Sequence, residues 1–227
     1  MSEVWNTLIT LQNNLINKFD NSGTEIYEEG MEKFNKENWI NRIWTGEKYR
    51  RAHIDVVDAR NTKGLWMMHC CIFPHLHNDS PIFGLDVVAG KNKITGFFHD
   101  YSPTITKDHL FVSDFIYNSS KIEWRKKREL PEWAKIIFNE DMISAGNIQS
   151  AEELQQLLDY SHESLINYLN YISDYNNTAN PEEVKKAQNR YAFYQKQNPH
   201  TPRTMTALGL DESEVNEFIN VCLFPEI

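Results

Sequence analysis

The sequence predicts an α/β fold, a three-layer α/β/α sandwich with a central antiparallel sheet. Apolar, β-branched and aromatic runs alternate with short turn signals from about residue 44 to residue 99. Helical patterns precede and follow this region, and short turns join antiparallel neighbours more readily than crossover helices do. Neither a linker nor a repeat interrupts the 227 residues. We therefore expect one domain over residues 1–227.

The four strands of the sheet are predicted from these apolar runs. The second of them, residues 65–73, has almost no polar alternation. A strand of this kind is buried on both faces, so the sheet needs a helical layer on each side. The predicted strands lie near residues 45–58, 65–73, 82–88 and 93–99.

The helices are predicted from apolar spacing and from start signals. Apolar residues three and four apart predict a helix over residues 3–19, ended by Asn21-Ser22-Gly23. A second long helix should run to about Tyr175. Helix starts are predicted at Ser150 with Glu153 as a capping box, at Pro181 with Asn180 as the cap, and at Asp211. The first helix can cover one face of the sheet, and C-terminal helices can cover the other.

Composition and charge narrow the class of protein. The net charge of −9 disfavours nonspecific nucleic-acid binding. The longest apolar runs are too short to span a membrane, and no secretory signal is visible. Three cysteines cannot form a disulfide framework, which favours a reducing compartment. We expect a cytoplasmic monomer, and no nucleotide or metal motif occurs.

One basic cluster stands out in this acidic chain. It consists of Lys121, Arg125, Lys126, Lys127 and Arg128. A solvated surface turn would give the same pattern, so the cluster alone does not establish a docking surface.

Four titratable residues lie where the sheet should be driest: His53, Asp55, His69 and Asp86. A carboxylate in an apolar strand costs several kcal/mol, to order of magnitude, unless it is paired, hydrated or protonated. A His–Asp pair can share a proton there and can donate it to a substrate that is being reduced. A structural His–Asp pair is the alternative. His75 and His77 have the spacing of a metal pair, but a solvated loop explains them better.

The motifs in this region resemble the ferredoxin-dependent bilin reductases, and within them the phycocyanobilin-forming branch. The resemblance runs from about residue 45 to the end of the chain. It rests on His69-Cys-Cys-Ile-Phe-Pro, Phe83-Gly-Leu-Asp86, Asp100-Tyr-Ser-Pro, Arg128-Glu-Leu-Pro-Glu-Trp and Asn198-x-x-Thr201. It implies that biliverdin IXα lies between the sheet and the C-terminal helices. It also implies that reduced ferredoxin supplies electrons directly, without a bound metal or flavin.

The resemblance assigns roles to individual residues. His69, Asp86 and His53 match the family's catalytic positions, and Asn198, His200 and Arg203 lie near its propionate contacts. His200 stands where the family usually has Lys. Ferredoxins are acidic, so the basic cluster becomes the expected docking surface.

Asp55 departs from the family, whose Glu at this position is assigned to the outer vinyl group of the D ring. The shorter acid withdraws its proton by more than an ångström, about the length of one C–C bond. This departure resembles a divergent, phage-type branch that forms phycoerythrobilin, so we expect that product, with phycocyanobilin as the alternative.

Two other classes of protein remain open on the sequence. A non-catalytic bilin or haem carrier could use the same pocket. A metal-dependent hydrolase could be built on the four titratable residues, although no familiar ligand triad is present.

Overall fold

The structure is a computed structural model that describes residues 2–27, 30–90, 93–124, 126–172 and 178–227. Its centre is a seven-stranded antiparallel sheet in which every strand pairs with the next strand along the chain. The strands are β1 (Thr24–Ile26), β2 (Trp39–Thr45), β3 (Arg51–Ala59), β4 (Leu65–Phe73), β5 (Ile82–Ala89), β6 (Ile94–Ser102) and β7 (Ile143–Ala145).

Eight α-helices are described, several of them with the caps that the sequence predicts. Asn180 accepts from Glu182 N, and Asp211 with Glu214 forms a complete capping box. The helices are α1 (Ser2–Ser22), α2 (Arg60–Lys63), α3 (Leu110–Ser119), α4 (Glu132–Lys135), α5 (Ala151–Tyr171), α6 (Pro181–Gln195), α7 (His200–Ala207) and α8 (Glu212–Glu217). A 3₁₀ turn (Glu32–Phe34) precedes β2, and a π-helical turn (Phe218–Leu223) follows α8.

Two hydrophobic cores lie on opposite faces of the sheet, which confirms the three-layer sandwich. One core joins the sheet to α1, α3 and α5. The other joins it to α6, α7, α8 and the π-helical turn. Strand β4 is buried along nearly its whole length, as its sequence predicts. Within the described residues, none of the helices has the length and apolar character needed to cross a membrane.

The strand predicted near residues 45–58 is confirmed as β3 from Arg51 onward, but its predicted start is wrong, because residue 45 belongs to β2 and a turn follows it. Strand β2 ends at Thr45, and a turn closed by Gly46 N donating to Tyr49 O leads into β3. A side chain at Gly46 would have its Cβ 2.7 Å from Ser22 O at the end of α1. The turn therefore abuts the end of that helix, and a side chain at position 46 would clash with it.

The other strand and helix boundaries differ by smaller amounts. The sequence pattern also missed β1 and β7, which have three residues each and are too short to show a period. The long helix from Ser150 is described to Tyr171. Its predicted end at Tyr175 lies outside the described residues.

Candidate active site

The titratable residues lie in two adjacent rows that cross the sheet on the face covered by α6–α8. We call this the polar face. The first row runs through Asn41, Asp55, His69, Asp86 and Phe98, and the second runs through Ile43, His53, Cys71, Gly84 and Asp100. Neighbours within each row are directly paired residues of adjacent strands, whose side chains point to one side of the sheet. The structure therefore brings together all four residues that the sequence singled out.

His69 and Asp86 form the central pair. His69 Nδ1 lies 2.8 Å from Asp86 Oδ1 across strands β4 and β5. Burial by itself would lower the pKa of His69, but the charge and hydrogen bond of Asp86, with a contact to Cys71, raise it to about 10. The ring is therefore an imidazolium whose second donor, Nε2, is buried without a partner in the described structure. The Asp86 side chain is 39% exposed, so this pair lies at an opening of the polar face.

Asp55 is held by a residue that the sequence analysis did not select. Trp39 Nε1 donates to Asp55 Oδ1 at 2.5 Å. Burial raises the pKa of Asp55 to about 7, against the opposing effects of the Trp39 hydrogen bond and of His69. Asp55 is 2% exposed. At neutral pH this acid can therefore both hold and release a proton.

His53 is neutral and is also held by strand β2. Its Nε2 lies 2.5 Å from Asn41 Oδ1, which we assign as an Nε2–H donating to the amide oxygen. Burial, with the positive charges of Arg51 and His69, lowers the pKa of His53 well below its usual value. Its other nitrogen, Nδ1, is then an acceptor on the polar face.

Several buried polar atoms on this face lack a partner among the described residues. They are Asn41 Nδ2, His53 Nδ1, His69 Nε2 and Asp100 Oδ1. Buried polar atoms are normally hydrogen-bonded, so their concentration on one face indicates that this face binds a polar molecule. Two donors and two acceptors suit a ligand with several N–H and C=O groups.

Asp100 and Tyr191 extend the site beyond the predicted residues. Asp100 is 1% exposed, and burial raises its pKa to about 7, partly offset by hydrogen bonds from Ser102 and the backbone N–H of Asn139. The Tyr191 hydroxyl, from α6, accepts from Gln195 Nε2 at 2.8 Å. It lies 3.5 Å from where a Cβ on Gly84 would stand, in the same row as Asp100.

The basic cluster lies along the edge of the sheet beside β7. Its described members are exposed, and Arg125 lies outside the described residues. The chain there pairs with β7, with Arg128 N donating to Ser144 O. Lys121 lies at the end of α3, with its Nζ 3.8 Å from the centre of the Tyr117 ring. These cations form an exposed positive edge.

The Arg128 side chain is held in place against the sheet. Its guanidinium lies 5.6 Å from the centre of the Phe98 ring. A Cβ on Gly96 would lie 3.2 Å from Arg128 Nη1, and one on Gly146 would lie 2.8 Å from its Cγ. The two glycines thus leave a slot for this side chain. Because Phe98 is paired with Asp86, Arg128 connects the positive edge to the polar face.

The three residues predicted to bind the substrate lie at the start of α7. Asn198 Oδ1 accepts from His200 N at 3.0 Å. His200 and Arg203 are exposed. The contact between Asn198 and His200 joins neighbours along the chain and does not bear on substrate binding. A role in substrate binding therefore remains a prediction for Asn198, His200 and Arg203.

Another groove lies away from this face. It has a volume of about 990 Å³ and lies between α3 and α5, against the opposite face of the sheet. None of the residues of the two rows lines it. We assign the site to the polar face, where the perturbed acids and the unpartnered polar atoms lie.

Among the described residues, no three His, Cys, Asp or Glu side chains are grouped so as to hold a metal ion.

The buried acids and the unpartnered polar atoms of this face could hold and transfer protons, and comparison with known proteins gives the family. The family model "Ferredoxin-dependent bilin reductase" matches residues 2–225. The chain therefore belongs to the ferredoxin-dependent bilin reductase family.

Individual relatives agree with this assignment. The phycocyanobilin:ferredoxin oxidoreductase of Synechococcus sp. (strain CC9902) is 28% identical over 192 residues, or 81% of this chain and 74% of the relative. That of Synechococcus sp. (strain CC9605) is 30% identical over 188 residues, or 77% of this chain and 71% of the relative.

Solved structures agree as well. The structure of a protein named PcyX is 35% identical, with a TM-score of 0.73 over 97% of this chain and 99% of that one. Phytochromobilin synthase from tomato, in complex with biliverdin, is 14% identical with a TM-score of 0.75. The match covers 95% of this chain and 82% of the tomato enzyme. At that identity the similarity to the tomato enzyme shows a common fold and no more.

Proposed function

We propose that this bilin reductase reduces biliverdin IXα by four electrons to phycoerythrobilin, through 15,16-dihydrobiliverdin. The observation that carries the proposal is the His69–Asp86 pair, whose unpartnered imidazolium N–H faces the layer of α6–α8. Each two-electron reduction consumes two electrons from reduced ferredoxin and two protons. A buried cation paired with an acid is suited to donate such protons to a bilin radical.

The polar face has the groups that an open-chain tetrapyrrole requires. Bilins present pyrrole N–H groups and two lactam carbonyls, which complement the acceptors His53 Nδ1 and Asp100 Oδ1 and the donors His69 Nε2 and Asn41 Nδ2. Arg128 is held beside Phe98 and can bind a propionate carboxylate of the substrate. This geometry supports binding between the sheet and α6–α8.

The choice of product rests on Asp55. The Asp55 carboxyl group is attached through one methylene, whereas that of Glu is attached through two. Trp39 Nε1 donates a hydrogen bond to it, so it lies close to strand β3. It is too short to reach the outer vinyl group as the longer Glu does. The second reduction should then fall on the A-ring diene system.

Phycocyanobilin is the second candidate product. It is favoured by the names of the Synechococcus relatives, which are phycocyanobilin:ferredoxin oxidoreductases. A carrier that binds bilin without reducing it is the remaining alternative.

One experiment separates these possibilities. Purified protein is mixed anaerobically with biliverdin, ferredoxin and a reducing system, and the products are identified by chromatography against standards. We expect a transient dihydrobiliverdin followed by phycoerythrobilin. Phycocyanobilin as the main product would contradict the assignment of product, and bound but unreduced biliverdin would indicate a carrier.

A further inference from the structure

Strand β2 supplies a rigid hydrogen-bond donor to the active site. Trp39 is 7% exposed, and its ring centre lies 5.8 Å from that of Phe34 and 5.0 Å from that of Phe218. These aromatic contacts come from the 3₁₀ turn and from the π-helical turn, so the indole is held from two sides. Its N–H direction is therefore fixed toward Asp55.

The contact makes the two oxygens of Asp55 unequal. An indole N–H can only donate, so Asp55 Oδ1 always acts as an acceptor. A proton on the neutral acid is thereby placed on Oδ2. The other groups that face Asp55 are the imidazolium of His69 on β4 and the carboxylate of Asp86 on β5, with neutral Asn41 on β2 and neutral His53 on its own strand.

We propose that Trp39 is a positioning residue that assigns proton delivery to Oδ2 of Asp55 and confines this acid to one edge of the bilin. The proposal rests on the proposed function, since it specifies how Asp55 serves the same reduction. The fixed indole and the length of the acid then together determine which bilin double bond receives the proton.

Removal of the indole N–H should have two effects. The hydrogen bond stabilises the ionised form of Asp55, so its loss should raise the pKa of this acid further. The carboxyl group should also be able to rotate and present either oxygen. Proton delivery should then persist to higher pH and become less selective among the bilin double bonds.

The test compares Trp39→Phe with the matched control Trp66→Phe. Trp66 is fully buried in the core on the opposite face, and its Nε1 has no partner among the described residues. The midpoint of the Asp55 titration is measured from the carboxyl infrared band of this residue in substrate-free protein. The band is assigned to Asp55 because it should disappear in Asp55→Asn. Trp39→Phe should raise the midpoint by about one pH unit, and Trp66→Phe should leave it unchanged.

Product analysis gives the second measurement. The ratio of main to minor bilin products should fall about fivefold in Trp39→Phe and stay the same in Trp66→Phe. In an Asp55→Asn background, Trp39→Phe should produce no further change. Equal midpoints and product ratios in the two tryptophan variants would overturn the proposal.

A measurement on the wild type applies even if Trp39→Phe fails to fold. With ¹⁵N-labelled tryptophan, one of the six indole N–H resonances should shift with the midpoint of the Asp55 carboxyl band and lose this pH dependence in Asp55→Asn. The absence of any such resonance would also refute the proposal. These spectra need no turnover, so their outcome is independent of whether biliverdin is the substrate.

Discussion

His69 Nδ1 and Asp86 Oδ1 lie 2.8 Å apart on directly paired residues of β4 and β5, the two strands that end at Phe73 and begin at Ile82. Because both residues are fixed to the same sheet, their separation is set by strand pairing rather than by a loop. The pair is thereby preorganised for the proton donation that we propose, and each partner can be tested separately.

Replacement of Asp86 by Asn should block turnover while preserving binding. The amide can still accept from the imidazole, but it removes the negative charge that raises the pKa of His69. We expect the rate of the first reduction to fall at least about 100-fold. Absorbance titration should show biliverdin binding within severalfold of the wild type. Normal product at the normal rate would remove Asp86 from the mechanism.

His69→Gln should stop the reaction after electron transfer. Glutamine can hydrogen-bond to Asp86 but cannot give up a proton, so a bilin radical should accumulate. Anaerobic electron paramagnetic resonance during turnover measures this radical. His77→Gln, at an exposed position in the loop after β4, is the control and should behave like the wild type. Full activity of His69→Gln would leave His69 with a structural role.

The positive edge should govern encounter with ferredoxin. Reversal of Lys126 and Lys127 to Glu should raise the Michaelis constant for ferredoxin about tenfold at low salt and weaken its salt dependence. Biliverdin affinity should stay the same, because Arg128 is left intact. The charge-matched control reverses Lys63 and Lys107, which are exposed elsewhere. Equal effects of the two double variants would place docking on another surface.

Asp100 should make the protein less stable as the pH rises. Its pKa is raised in the folded state, so folding binds a proton between the unfolded value, near 4, and about 7. The stabilisation from its neutral form is complete below the unfolded pKa and is lost as the pH passes through about 7. Asp100→Asn should remove a decline in the free energy of unfolding on the order of 4 kcal/mol.

Urea unfolding between pH 4.5 and 8 measures this effect, with Asp141→Asn at an exposed turn as the control. Buried Asp55 should contribute a second decline in the free energy of unfolding over the same pH range. The Asp100→Asn variant should therefore keep part of the dependence of this free energy on pH. A slope identical to that of the wild type would show that Asp100 does not titrate in this way.

Lengthening the acid at position 55 should change the product. Asp55→Glu adds one methylene, which moves the carboxyl group toward the substrate by about the length of a C–C bond. Some reduction at the outer vinyl group should appear, detected as phycocyanobilin by chromatography. Asp55→Asn keeps the acceptor for Trp39 but carries no proton, so it should yield none. A product distribution unaffected by Asp55→Glu would show that acid length does not select the double bond.

The sequence was sufficient to predict the central pair because polar residues in apolar strands are conspicuous. His69 and Asp86 each interrupt such a run, and the short connection between their strands favours antiparallel pairing. The period of two then places His53 and Asp55 on a common face. The sandwich followed from the same patterns.

Trp39, Asn41 and Tyr191 could not be predicted in the same way. Trp39 resembles any core aromatic residue, and its proposed function depends on one N–H whose partner is set by the β2–β3 register. The apolar pattern does not mark the break at Gly46, so the register of β2 on β3 is not visible in the sequence. Tyr191 is more than 100 residues from Gly84 along the chain, and helical spacing does not reveal which strand a helix covers.

The meander order of the sheet has an evolutionary consequence. Residues 39–102 contribute both rows of the polar face, whereas the helices that cover it are encoded after residue 180. A single recombination event spanning β2 to β6 would therefore transfer both rows of the polar face together between homologues and leave the overlying helices unchanged. With the role that we propose for Asp55, exchange of this one contiguous gene segment would change which double bond of the bilin is reduced.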